Sequence, residues 1–278
     1  MKENEIIKSN QGSLPSKNSN ALEKFEKLQG KLSALKTSLN KNEVIPRIYN
    51  QLVLFVLDGS RSMGSHSINN IPKAQDIHEN VQKVLDRLRS SKNRTSFDIG
   101  MIAFSDESKN VFGIKELKDI SENESFNSMK LLEKTGSTQF FPAFLKAESM
   151  IEEYMSNITN GLPRNALILL MTDGMMDDYK VSLLRIEKLK LKENVTISVM
   201  YLEDQIKEGS KWYYWNEETG EIDYSRECPT EEVRVERKRY SEKLKQYASK
   251  ESLFMNTINP DSVRNHMIKS ISDTSQLL

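Results

Sequence analysis

The residues that could do chemistry follow the first apolar segment of the chain, where an aspartate and two serines alternate. They occur in the run Asp58-Gly59-Ser60-Arg61-Ser62. Alternate residues in a turn that leaves a strand can point into one crevice, so one carboxylate and two hydroxyl groups would converge there. All three are oxygen ligands, the type that hard cations such as Mg²⁺ prefer. The spacing therefore favours a divalent-cation site directly after this segment.

A second aspartate and a hydroxyl-rich loop offer further candidate ligands. Asp173 follows the apolar segment 165–172, and the loop Thr135–Thr138 lies between the two apolar segments in the sequence. If both segments are parallel strands of one sheet, their carboxyl ends meet at one edge, and the loop can bring the Thr138 hydroxyl close. Helix capping is an alternative role for Asp58 and Asp173. Capping does not account for the two serines and the threonine.

Strands and helices in alternation are needed to position these residues, and the apolar pattern predicts them. Continuous apolar runs are typical of strands buried on both faces, and apolar residues every three or four positions indicate helices. Strands are predicted at 51–57, 97–104, 111–117, 165–172, 195–202 and 252–258, and helices at 72–90, 140–155, 178–192, 231–248 and 260–272. Asp177 and Asp178 are expected to cap the helix that they precede. The alternation predicts an α/β fold with a doubly wound, mostly parallel sheet and helices on both faces.

Taken together, the motifs resemble the metal ion-dependent adhesion site (MIDAS) of von Willebrand factor A-type (VWA) domains, which have a Rossmann-like sheet. Asp-x-Ser-x-Ser, a Gly-Ser-Thr loop and Thr-Asp-Gly follow in the family's order, and the resemblance covers roughly residues 50–273. It implies five metal-ligating residues, namely Asp58, Ser60, Ser62, Thr138 and Asp173. In the family, the serines and the threonine typically coordinate the metal directly, and the aspartates act directly or through water.

The resemblance also implies a non-enzymatic function. The bound ion, expected to be Mg²⁺ or alternatively Mn²⁺ or Ca²⁺, would keep water that an Asp or Glu of a partner protein can replace. We therefore expect a metal-dependent adaptor or subunit of a bacterial multiprotein system, of the stress-response, ATPase-associated or kinase-associated kind. The sequence specifies no oligomeric state.

Two other functions stay open: a metal-dependent hydrolase, and a structural subunit that assembles through its N-terminal helix. Known enzyme motifs match poorly. A haloacid dehalogenase-type phosphatase would have a second aspartate where this chain has Ser60, and a serine hydrolase needs Gly-x-Ser-x-Gly. The sequence also has no Gly-x-x-x-x-Gly-Lys phosphate loop. The histidines His66, His78 and His266 are expected at the surface.

The predicted VWA domain spans 47–278 and has two additions. Residues 1–20, rich in Ser, Asn, Lys and Glu, are expected to form a flexible tail, and residues 21–46 an amphipathic helix with a leucine stripe. That stripe either packs on the domain or forms a short coiled-coil contact with a partner. An insertion around 204–230 is expected to form a β-hairpin. Its aromatic run 212–215 either covers the sheet edge or packs on the preceding helix, or forms a protruding contact surface.

The composition argues against several protein classes. The 278 residues include 40 basic and 40 acidic side chains, with no basic stretch interleaved with aromatics, which argues against nucleic-acid binding. The single cysteine, Cys228, allows neither an internal disulfide nor a paired-cysteine zinc site. No apolar run approaches the ~18–20 residues of a membrane span, and none near the N-terminus suits a signal peptide. We therefore expect a cytoplasmic protein that does not bind membranes.

Overall fold

The computed structural model describes residues 27, 29–31, 45–133, 136–157, 161–174, 178–203, 206, 209, 211–216 and 221–275. The chain divides into two compact units, Met1–Pro46 and Arg47–Leu278. In the first unit, residue 27 and residues 29–31 are helical. The predicted tail and most of the predicted amphipathic helix lie outside the described residues. Within the described part of the chain, none of the helices has the length and apolar character that crossing a membrane requires.

A six-stranded sheet forms the centre of the second unit. The strands of the unit are β1 (Asn50–Asp58), β2 (Phe97–Phe104), β3 (Ser108–Glu116), β4 (Arg164–Thr172), β5 (Val195–Tyr201), β6 (Trp212–Asn216), β7 (Glu221–Cys228) and β8 (Phe254–Asn256). The central sheet has the order β3-β2-β1-β4-β5-β8, and β6 and β7 form a separate two-stranded sheet. Among the six described strands of the central sheet, only β3 runs antiparallel to its neighbour. Every residue of β1 and β2 is buried, as continuous apolar runs require.

Helices cover both faces of this sheet. They are α1 (Lys73–Arg89), α2 (Ser128–Leu131), α3 (Phe141–Ser156), α4 (Tyr179–Lys190), α5 (Thr230–Lys245) and α6 (Pro260–Ser275). Apolar residues of α1 and α6 share one core cluster with Val53 and Phe55 of β1. Apolar residues of α3, α4 and α5 share the other cluster with Leu52 and Leu54 of the same strand. This alternation along β1 confirms the predicted doubly wound α/β fold.

The order of the strands creates a crevice at the carboxyl ends of β1 and β4. From β1 the chain proceeds to β2 and β3 on one side, and then returns to β4 on the other side of β1. Such a reversal is where open α/β sheets bind their ligands. Leu57 pairs with Met171. The residues that follow, Asp58 and Thr172, therefore leave the sheet side by side.

The insertion after β5 forms an antiparallel hairpin of β6 and β7. The Arg237 guanidinium of α5 lies 4.7 Å from the centroid of the Trp212 ring. Tyr213 and Tyr224 make an edge contact across the hairpin, with ring centroids 5.2 Å apart. The aromatic run thus contacts its own partner strand and the following helix, not the preceding helix named in the sequence-based expectation. Residues 217–220, between the two strands, lie outside the described part.

The expectation that His266 lies at the surface is wrong. Its exposed fraction is 4%, and its Nε2 lies 3.0 Å from the Ser198 hydroxyl in the middle of β5. His266 shares the inward stripe of α6 with Val263 and Ser270, which are three and four residues away and also buried. Burial lowers the pKa of His266 below its usual 6.5. The neutral ring is thus part of the interior.

Candidate metal-binding site

Asp58 ends β1 and is fully buried. Its Oδ1 accepts the backbone N–H of Ser60 at 2.7 Å, and its Oδ2 accepts the hydroxyl of Thr172 at 2.6 Å. Burial raises the pKa of Asp58 to about 7, the negative charge of Asp173 adds to the rise, and the hydrogen bonds from Thr172 and Ser60 act in the opposite direction. A carboxylate that is so poorly solvated gains strongly from a nearby positive charge.

The two serines connect the exit of β1 to Asp173. Ser60 Oγ lies 3.1 Å from Ser62 Oγ, and Ser62 Oγ donates to Asp173 Oδ1 at 2.6 Å. A single 3₁₀ turn, Arg61–Gly64 (the serine turn), produces this arrangement. Buried Met63 anchors the turn and donates its N–H to the Ser60 carbonyl at 3.0 Å. Ser60 is buried and Ser62 is exposed, so the oxygen cluster is closed on the sheet side and open to solvent on the other.

Asp173 also forms a buried ion pair that the sequence pattern did not predict. Its Oδ2 accepts from Lys73 Nζ at 2.6 Å, and the side chains of Lys73 and Asp173 are 3% and 1% exposed. Lys73 is the first residue of α1. A lysine at a helix N-terminus opposes the helix dipole. An unfavourable lysine at a helix start, soon after the Asp-x-Ser-x-Ser motif, is the signal from which Lys73 could have been predicted.

Thr138 is buried and lies against the Thr-Asp-Gly turn that follows β4. A Cβ atom on Gly174 would lie only 2.3 Å from Thr138 Oγ1. The Gly174 N–H donates to Thr172 Oγ1 at 3.1 Å, which holds the turn close to the end of the strand. Glycine at this position therefore permits the approach of the threonine hydroxyl to the residue after Asp173.

Asp106, which the sequence analysis did not identify, holds the loop that carries Thr138. Its Oδ1 accepts both the backbone N–H and the hydroxyl of Ser137, each at 2.6 Å. The Gly136 carbonyl accepts the Arg61 N–H at 3.2 Å, so the loop is also attached to the serine turn. Asp106 comes one residue beyond the position directly after β2, and Asp173 comes directly after β4. An aspartate after a strand end is the pattern that could have identified it.

The side chain of Asp178 caps a different helix from the one expected. It accepts the backbone N–H groups of Phe140 at 3.0 Å and Phe141 at 2.5 Å, at the start of α3. The residue directly precedes α4 but makes no side-chain cap there. A carboxylate at the N-terminus of α3 satisfies free N–H groups and interacts favourably with the helix dipole. Asp177 lies outside the described residues.

The donor set suits a hard divalent cation. The structure brings together all five residues proposed from sequence: Asp58, Ser60, Ser62 and Asp173 through hydrogen bonds, and Thr138 through its contact with Gly174. These residues carry carboxylate and hydroxyl oxygens, the ligands that Mg²⁺, Mn²⁺ and Ca²⁺ prefer. Within the described ranges, no three His, Cys, Asp or Glu side chains form a metal-binding group. A cation here would therefore depend on the hydroxyl oxygens.

Comparisons with known proteins give a family match and structural likenesses. Residues 53–208 match the family described as von Willebrand factor type A domain. The pilus adhesin SpaC from Lactobacillus rhamnosus GG superposes with a TM-score of 0.58 at 11% identity, covering 82% of this chain and 31% of that chain. Its likeness shows a shared fold. No curated protein matches the chain.

Two further solved structures resemble the chain more weakly. One is the conserved hypothetical protein BatB from Bacteroides thetaiotaomicron, with a TM-score of 0.49 and 16% identity over 82% of this chain and 100% of that chain. The other is proximal thread matrix protein 1 from the mussel byssus, described with a zinc-occupied MIDAS motif. Its TM-score is 0.49 at 17% identity, over 81% of this chain and 45% of that chain.

Proposed function

The chain belongs to the von Willebrand factor type A domain family, and we propose that it binds a partner protein through a divalent cation held at the carboxyl edge of its sheet. The family is one of protein-interaction modules. The proposed ligands are Asp58, Ser60, Ser62, Thr138 and Asp173. The cation is Mg²⁺, or Mn²⁺ or Ca²⁺ in its place, and the partner contributes an Asp or Glu.

The observation that carries this proposal is the continuous chain of oxygen atoms from Ser60 through Ser62 to Asp173. Successive oxygens in this chain are 3.1 and 2.6 Å apart, although Asp173 lies 111 positions after Ser62. Oxygens at such spacings can face one small ion after modest side-chain rotation. Asp58 is buried beneath them, so water screens the attraction between its carboxylate and a bound cation only weakly.

The character of the ligands favours binding over hydrolysis. When bound, the cation supplies a Lewis acid that accepts a further oxygen ligand in exchange for water. Three of the five proposed ligands are neutral hydroxyl groups, so only the two aspartates offset the charge of the cation, and an acidic side chain of a partner is a favourable further ligand. Exposed Ser62 marks the side from which that ligand would approach. The protein's role is to hold the cation open to a partner, so we propose no catalytic residue.

The first test measures the metal alone. We expect Mn²⁺ binding, followed by isothermal titration calorimetry, to weaken by about tenfold or more in Ser62→Ala, since even the loss of a group that only supports a metal ligand costs about 10- to 100-fold in affinity. Ser65→Ala is the matched control, because Ser65 is an exposed serine just beyond the same 3₁₀ turn. Equal Mn²⁺ affinity in the two variants would refute the proposed site.

The second test measures the partner. Immobilised protein is expected to capture its partner from a cell extract in Mg²⁺ and to release it in EDTA, and Asp58→Asn is expected to abolish the capture. Capture that survives EDTA and Asp58→Asn, but is lost on deletion of residues 1–46, would instead favour assembly through the N-terminal segment. Turnover of a phosphoester or peptide substrate that depends on Asp58 would favour a hydrolase.

A further inference from the structure

Lys73 forms a buried ion pair inside the proposed metal site. Its Nζ lies 2.6 Å from Asp173 Oδ2, and both side chains are almost completely buried. The other oxygen of this carboxylate, Oδ1, accepts the Ser62 hydroxyl at 2.6 Å. Both oxygens of Asp173 thus already have donors from this chain.

The backbone fixes the position of Lys73. It begins α1, and its N–H donates to the Ser65 carbonyl at 3.0 Å, directly beyond the serine turn. The neighbouring residues Ala74 and Ile77 are in the core, so the start of the helix cannot move independently of the sheet. The start of α1, which is packed on the sheet, therefore holds the ammonium group next to Asp173.

A fixed ammonium group changes what the site can bind. Asp58 and Asp173 offer two negative charges to a divalent cation, and Lys73 offsets one of them. Because all three side chains are buried, their interactions are weakly screened by solvent. A cation bound here keeps an excess of positive charge, which an additional anionic ligand would relieve.

We propose that Lys73 weakens the affinity of the site for a free cation and thereby couples metal binding to the arrival of a carboxylate from the partner. The inference rests on the proposed function, since it assumes that the cation binds at this site. Metal and carboxylate then bind cooperatively, and by linkage each raises the affinity for the other by the same factor. Lys73, which is not one of the proposed metal ligands, thus makes the site specific for an acidic ligand.

The test is Mn²⁺ binding by calorimetry in Lys73→Gln and Lys73→Met. Lys73→Gln removes the charge but keeps a hydrogen-bond donor for Asp173, so that the variant is expected to fold, which circular dichroism checks. We expect both substitutions to tighten Mn²⁺ binding on the order of 10- to 100-fold, as removal of a nearby, weakly screened like charge would do. Lys83→Met, at an exposed position of the same helix, and Lys73→Arg are expected to leave the affinity near that of the unmodified protein.

A second measurement tests the coupling with acetate as the carboxylate probe. In the unmodified protein, exchanging chloride for acetate at equal ionic strength is expected to tighten Mn²⁺ binding, and in Lys73→Gln this gain should shrink. Mn²⁺ binding that depends on Ser62 but is no tighter in folded Lys73→Gln would overturn this inference and leave the metal site standing. Absence of Mn²⁺ binding in both Lys73→Gln and the unmodified protein would overturn the proposed function together with the inference.

Discussion

Substitution of Gly174 by alanine is expected to destabilise the protein, because the new methyl group would occupy the space of the Thr138 side chain. The Cβ would lie 2.3 Å from Thr138 Oγ1 and 3.1 Å from both Thr138 Cβ and Cγ2, whereas ordinary contact begins at 3.4 Å. Gly174 does not have a positive φ. The backbone can therefore accept alanine, and the cost comes from the overlap.

The expected loss follows from the depth of this overlap and from the burial of both residues. Thr138 is buried, and its loop is held by Asp106 and by the serine turn, so it cannot move aside freely. Forcing extra atoms into a packed site costs about 1–3 kcal/mol. An overlap of more than 1 Å relative to the 3.4 Å limit places Gly174→Ala in the upper half of that range, about 2–3 kcal/mol. Because Thr138 is a proposed ligand, Mn²⁺ affinity should fall as well.

Urea denaturation followed by circular dichroism measures the free energy of unfolding of each variant. Gly113→Ala is the control, since a Cβ on Gly113 meets no atom within 4 Å, and a substitution at such an exposed site is expected to change stability by at most about 0.5 kcal/mol. The double variant Gly174→Ala/Thr138→Ala removes the overlapping Oγ1 and Cγ2 atoms. It should lose less stability than the sum of its two single variants, by about 1–2 kcal/mol of coupling. If Gly174→Ala matches Gly113→Ala, or the single losses simply add, the steric reasoning is wrong.

Two further predictions concern residues that support the fold around the site. Asp178→Ala removes the acceptor for two N–H groups at the start of α3 and should lower the free energy of unfolding, measured in urea, by about 1–2 kcal/mol. Asp119→Ala, at an exposed position, should lower it little. Equal losses in the two variants would argue against the cap. Burial lowers the pKa of His266 below 6.5, so at lower pH the unfolded chain binds a proton that the folded chain does not, and stability should fall as the pH decreases below about 6.5. Asp58, whose pKa is raised to about 7, contributes in the opposite direction in the same pH range, so the test compares variants. Between pH 7.5 and 5, the unfolding free energy of His266→Gln should fall less, or rise more, with decreasing pH than that of the unmodified protein, whereas exposed His66→Gln should follow the unmodified protein.

The layered fold could be predicted because its determinants are local. Short continuous apolar runs such as 51–57 and 165–172 are typical of strands covered on both faces, and the periodic apolar residues between the runs indicate the covering helices. The strand ends then locate Asp58 and Asp173 at the same edge. The short strand β8 was less predictable: it covers Phe254–Asn256 within the predicted 252–258, because Glu251–Leu253 forms a 3₁₀ turn.

The contacts that complete the site join residues that are distant in the sequence, and the tertiary structure alone decided them. Lys73 and Asp173 are 100 positions apart, and their pairing depends on where α1 begins relative to the end of β4. The side chain of Asp178 reaches back to α3, although its place in the chain suggests α4. The sequence by itself determined which oxygen-bearing side chains leave the sheet at one edge. The packing of helices and loops over that edge decided which charges surround them, because a partner for a buried charge is selected by proximity in space and not by spacing along the chain.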